Sequence, residues 1–144
     1  KADRSQNIPW GQTIRIINLA TNLPAEATRH GVLYDTSRGN NRPSTHFRLI
    51  DKGNGKLIVQ CADGRYIMAS GIGMPGDVRM TNDEAQAEVF MYQDYLDHEF
   101  MLMSYNRHTY LCKSPTTGSP YSVDCKGPDP ARKNGSVFKW EVVE

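Results

Sequence analysis

The sequence predicts an all-β domain made of one four-stranded unit repeated three times. Three observations carry that expectation. First, 144 residues suffice for one self-contained core, and 12 glycines with 8 prolines demand many turns. Second, short apolar runs alternate with turn dipeptides, among them Asn54-Gly55, Asp63-Gly64, Pro75-Gly76 and Asn134-Gly135. Third, the segments TIRIINLATNLPAEA, KLIVQCADGRYIMAS and EFMLMSYNRHTYLCKS align on one another, with Ile14, Leu57 and Phe100 at steps of 43 residues. Phe47, Phe90 and Phe138 repeat likewise, at steps of 43 and 48, so the last unit carries extra loop residues.

The units fall near 12–55, 56–98 and 99–144, after an N-terminal arm of residues 1–11. Unit one is the most degenerate. Leu23-Pro24-Ala25-Glu26-Ala27 stands where the others have Tyr-Ile-Met and Tyr-Leu-Cys, and Pro24 must take an edge or a bulge because it cannot donate to a ladder. The unit closes on the strand HFRLI. Unit two reads as strands at 57–62, 65–69, 77–81 and 89–92, with Leu57, Val59 and Cys61 alternating against Ile58, Gln60 and Ala62. Between its last two strands, Thr81 with Glu84 forms a capping-box start that predicts a single helical turn. Unit three reads as strands at 100–104, 109–113, 122–125 and 138–143.

Unit two also spells G-x-G-x-x-G, with Gly71, Gly73 and Gly76. A dinucleotide loop needs a helix opening directly after its glycines, to hold the pyrophosphate on its N-terminal amides. Here Pro75 sits inside the motif and Asp77-Val78-Arg79-Met80-Thr81 continues as a strand. The glycines are therefore expected to turn the second strand into the third, where positive φ is wanted.

Three units of about forty residues, each closed by an apolar-Phe strand, resemble a β-trefoil over residues 12–144. GRYIMAS and HTYLCKS are similar to the G-x-Y-L-x-x strands of fascins, hisactophilin and fibroblast growth factors. SVFKWEVV looks like their closing strands and those of ricin-type lectins. The resemblance implies three units around a pseudo-threefold axis, burying one shared core that no unit could build alone.

Bulk properties narrow the function. With 17 Lys and Arg against 16 Asp and Glu, a general attraction to nucleic acid or an anionic membrane is not expected. The longest apolar runs, such as Val89-Phe90-Met91-Tyr92, are too short to insert in a bilayer. The chain opens on Lys1 with no apolar signal-like stretch, as expected of a processed or trimmed product. His30, His46, His98 and His108 lack metal-ligand spacing, and neither a nucleophile elbow nor a protease signature occurs. Asp94, Asp97, His98 and Glu99 cluster where units two and three join, and are read as a solvated loop. No enzyme, metal or cofactor is expected.

A binding module remains, with a glycan or glycoprotein as its partner. Likeness to trefoil lectins implies shallow pockets, one per unit, where an aromatic ring stacks on the sugar and an Asp or Asn binds its hydroxyls. The candidates are Tyr34 and Asp35 with Asn40 and Asn41, and Tyr121 with Asp124. The Q-x-W motif of ricin-type lectins is absent: Thr45-His46-Phe47, Glu88-Val89-Phe90 and Val137-Phe138-Lys139-Trp140 stand there, so a sugar site would not be of the standard ricin kind. Likeness to fibroblast growth factors implies instead a protein receptor and an anion-binding loop with Lys126, Arg132 and Lys133. An actin-binding fascin-like module or a protease inhibitor are further alternatives, and the Arg-rich 28–46 segment suits any of them.

Cys61, Cys112 and Cys125 leave the compartment open, with secretion favoured over the cytoplasm. In TYLCKSPTTGSPYSVDC, a turn near Gly118 sets Cys112 opposite Cys125. Either a disulfide forms there, or two thiols pack where Met68 and Met80 stand in unit two. Asn134-Gly135-Ser136 is a glycosylation sequon, used only in the secretory pathway.

Overall fold

The computed structural model describes residues 8–37, 41–70, 76–96, 99–113, 119–127 and 135–143. Unit one supplies β1 (Ile14–Asn18), β2 (Leu23–Ala27), β3 (Leu33–Asp35) and β4 (Phe47–Gly53). Unit two supplies β5 (Lys56–Cys61), β6 (Tyr66–Ala69), β7 (Val78–Thr81) and β8 (Phe90–Asp94). Unit three supplies β9 (Glu99–Ser104), β10 (Tyr110–Lys113), β11 (Tyr121–Cys125) and β12 (Phe138–Val142).

The first and fourth strands of each unit close an antiparallel barrel, in which β1 pairs β4, β4 pairs β5, β5 pairs β8, β8 pairs β9, β9 pairs β12 and β12 returns to β1. The second and third strands form three hairpins, β2–β3, β6–β7 and β10–β11. A six-stranded barrel carrying three hairpins is a β-trefoil.

The repeated residues meet each other, which is why the repeat folds this way. Ile14 lies opposite Phe47, Leu57 opposite Phe90 and Phe100 opposite Phe138. All six are buried, and burial of each phenylalanine is worth about 2 kcal/mol of transfer free energy. The hairpins send Ala25, Ile67 and Leu111 into the same core, together with Leu33, Val78 and Tyr121. The turn between first and second strands is also built three times. Asn22, Gly64 and His108 take positive φ (59°, 93° and 59°), and their amides donate to the carbonyls of Asn18, Cys61 and Ser104 at 2.7, 3.0 and 2.9 Å. Asn and His are among the side chains that tolerate this conformation best.

Three local expectations change. Pro24 lies inside β2, opposite Ile17, where only its carbonyl is needed: that oxygen accepts from the Thr36 amide at 3.0 Å. The helical turn of unit two is a 3-10 turn at Glu84–Gln86, capped by Asp83 rather than Thr81. Asp83 Oδ1 accepts from the Ala85 amide at 3.0 Å, Thr81 ends β7, and Glu84 bonds Lys52 instead of reaching back. Gly71 and Gly73 lie outside the described residues. Gly76 does not take positive φ and is needed for space: a Cβ there would sit 2.7 Å from the Val123 carbonyl oxygen. Its own carbonyl accepts from the Val123 amide at 2.7 Å, so unit two rests its backbone directly on β11 of unit three.

Candidate functional site

The β2–β3 hairpin of unit one turns Ala25, Ala27 and Leu33 into the protein. Alternation then sends Glu26 and Tyr34 outward, and the register sets them directly opposite each other. The 3-10 turn Pro43–Thr45, just before β4, folds back over this pair. Ser44 Oγ donates to Glu26 Oε2 at 2.5 Å, and Arg42 Nε donates to the same oxygen at 3.1 Å. Burial alone would raise the Glu26 carboxyl, but hydrogen bonds from Ser44 and Thr36 and the Arg42 guanidinium outweigh it and hold it below its ordinary value. The result is an ionised, oriented carboxylate beside a half-buried phenol ring. Both line an open hollow of about 740 Å³, with Arg29, His30, Ser37 and Arg42 around its rim.

The other two units lack this pair. Their equivalent cross-strand positions hold Met68 opposite Arg79 and Cys112 opposite Ser122. At this position of the hairpin, a carboxylate faces an aromatic ring in unit one alone.

Asp35 and Tyr121 are brought together, but away from the surface. The Asp35 side chain is only 3% exposed and accepts from Tyr121 Oη at 2.5 Å and Thr21 Oγ1 at 2.6 Å, with Lys113 Nζ at 4.0 Å. Asn18 Nδ2 donates to Tyr121 Oη at 3.3 Å. Burial pushes the Asp35 carboxyl above its ordinary value, against those hydrogen bonds and the Lys113 charge. Burial, reinforced by Asp35, likewise pushes the Tyr121 hydroxyl well up. This network ties unit one to unit three. Tyr121 is therefore paired with Asp35 and not with Asp124, because its ring is packed in the core against Phe138 while Asp124 is exposed and accepts from Ser122 Oγ. Asn41 and Lys126 are exposed. Asn40, Arg132, Lys133, Asp97, His98 and Asn134 lie outside the described residues.

Cys112 and Cys125 form a disulfide, with Cα atoms 6.1 Å apart. They are not directly opposite: Tyr110 faces Cys125, Cys112 faces Ser122, and a bulge between them sets the bond on a diagonal. Cys61 is the free cysteine, its thiol pushed up to about 12, chiefly by burial. Cys112, Asp124 and Cys125 lie close enough to suggest a metal cluster, but the two sulfurs are bonded to each other and offer no thiolate.

Glu26 and Ser44 were not singled out by sequence reasoning. The available signal was the alternation in LPAEA, where Glu26 must share the face opposite to Ala25 and Ala27.

No protein-family model and no curated protein matches the sequence. Solved structures do. A BEL β-trefoil in its apo form superposes with a TM-score of 0.75 at 17% identity, over 95% of this chain and 97% of that one. The Macrolepiota procera ricin B-like lectin MPL, in complex with lactose, gives 0.74 at 15% identity, over 94% and 99%. SeviL bound to the asialo-GM1 saccharide gives 0.70 at 10%, over 92% and 98%. The likeness is one of fold, and that fold is the β-trefoil.

Proposed function

We propose that the protein is a non-enzymatic carbohydrate-binding module whose site is the unit-one hollow. The observation that carries this reading is the Glu26–Tyr34 cross-strand pair at the wall of that hollow. A sugar ring has an apolar face and a rim of hydroxyls; Tyr34 suits the face and the fixed Glu26 carboxylate accepts from the rim. Ser44 and Arg42 hold that carboxylate in one orientation, so little ordering is left for the ligand to drive. Asp35, in β3, also lines the hollow, and Asn41 is exposed one residue before the lining Arg42. Two β-trefoils of the same architecture hold saccharides in their structures, which agrees with the reading.

A glycan array tests it. The wild-type protein is expected to bind one sugar class, and both Tyr34→Ala and Glu26→Gln are expected to lower that affinity at least tenfold, about 1.4 kcal/mol. A silent array, beside retention on heparin that fades with salt, would reject the lectin reading in favour of an anion-binding surface around Lys126.

A further inference from the structure

Two smaller hollows adjoin the unit-one site. One, of about 240 Å³, shares Ala27 and Ser44 with it and adds Pro43, Ala62 and Asp63. The next, of about 320 Å³, shares Cys61 and Ala62 with the second and adds His46, Arg48 and Gln60. The three lie in sequence along the strip from Pro43 to Arg48. Given a 3-10 turn followed by a strand, that strip spans on the order of 14 Å, longer than one pyranose ring.

Charge along the strip is uneven. Glu26 is matched by Arg42 at 3.1 Å, and Asp63 by Arg65 at 2.8 Å. Arg29, at the rim of the first hollow, has no carboxylate partner among the described residues. Arg48, in the wall of the third, donates to Thr13 Oγ1 at 3.3 Å and likewise has no carboxylate partner there. Both arginines are exposed. Between these two cations the middle hollow is lined by Ala27, Pro43, Ser44, Cys61 and Ala62, apolar enough for the face of a sugar, and its one charged side chain, Asp63, is already paired with Arg65.

We infer that the three hollows form one furrow, crossing from unit one onto unit two, that takes an acidic oligosaccharide of more than one ring. A neutral ring sits against Tyr34 and Glu26, and a uronate or sulfate group of a following ring faces Arg48. The inference rests on the carbohydrate reading and extends it in length and charge. Glu26 and Asp35 line the first hollow, whereas the third is lined by Arg48 and no carboxylate, so the acidic group belongs at the far end.

Calorimetric titration with two ladders tests it: galactose oligomers of one to four residues in which every member longer than one ends in a single galacturonic acid, and wholly neutral galactose oligomers of the same lengths. The acidic ladder is expected to gain about tenfold in affinity from one residue to three, a gain that shrinks as salt rises. The neutral ladder is expected to gain much less. Arg48→Ala flattens the acidic ladder, whereas Lys52→Ala, which removes an equal charge outside the furrow, leaves it steep. Affinity independent of length, with binding still lost in Tyr34→Ala, overturns the furrow and leaves the carbohydrate reading standing. Equal gains on both ladders overturn the acidic assignment and with it the proposal. Absence of binding on both ladders and on the array removes the carbohydrate reading itself.

Discussion

Three glycines separate the two reasons a backbone excludes side chains. Gly64 takes φ +93° with nothing within 4 Å of an added Cβ. Gly76 has no positive φ, but a Cβ would lie 2.7 Å from the Val123 oxygen. Gly135 combines both, with φ +72° and a Cβ placed 2.0 Å from the Lys113 carbonyl oxygen. Gly64→Ala should then cost only the left-handed penalty of about 1 kcal/mol, partly offset by a stiffer unfolded chain. Gly76→Ala forces two backbones apart at the Val123 hydrogen bond, an overpacking cost of about 2 kcal/mol. For Gly135→Ala the strain adds to a deeper overlap. The Gly135 carbonyl also accepts from Asn18 Nδ2 at 3.0 Å and from the Lys113 amide at 3.3 Å, bonds worth about 1 kcal/mol each. A loss of about 4 kcal/mol follows, a large share of the 5–15 kcal/mol typical of a domain. Urea unfolding followed by Trp10 and Trp140 fluorescence gives the three values. If Gly76→Ala proves no worse than Gly64→Ala, the argument from close approach is wrong.

Other substitutions test other parts. Replacing both Cys112 and Cys125 with Ala should lower stability by about 3 kcal/mol, as expected for a bond closing a separation of 13 residues; unchanged urea midpoints would count against it. In the native protein Cys61 should resist alkylation at pH 8, because burial holds its thiol up near 12, and rapid labelling would contradict that. Burial, then Arg15, hold the His46 ring below its ordinary value of 6.5. The unfolded chain therefore binds the proton first, so stability should fall as pH drops through 6.5 and level off beneath the folded value. His46→Gln should remove that segment of the pH profile, and an unaltered profile would refute the assignment. Asp35→Ala should cost about 3 kcal/mol or more, since Tyr121 loses its acceptor and Lys113 its buried carboxylate. A full-stability Asp35→Ala protein would show that this network is not structural.

The barrel was legible because its signal is local and periodic. Ile14, Leu57, Phe100 and the three phenylalanines occupy the same place in each unit, and every expected strand of units two and three matches an observed one to within two residues at either end. The candidate site was less legible because its parts come from different periods. Tyr34 was visible as an aromatic beside an Asp, but its cross-strand neighbour is Glu26, which becomes visible only once β2 is known to be a strand despite Pro24. Asp35 looked like a sugar ligand because its side chain is polar in a loop-rich stretch. Its buried partner Tyr121 lies 86 residues away, a contact no local pattern encodes. The bulge in β10–β11 escaped notice for a similar reason. One extra residue between Tyr110 and Cys112's partners changes the register without changing the turn residues.

The pairing of β1 with β12, from Ile14 opposite Val142 to Asn18 opposite Phe138, sets those two strands side by side as the Asn54–Gly55 turn sets β4 beside β5. Topologically the barrel is a ring, and β12–β1, β4–β5 and β8–β9 are three equivalent joints of it. A permuted domain that starts at Gly55, finishes at Asn54 and links β12 to β1 would keep every strand pair. The strand pairs of the barrel do not depend on which unit comes first.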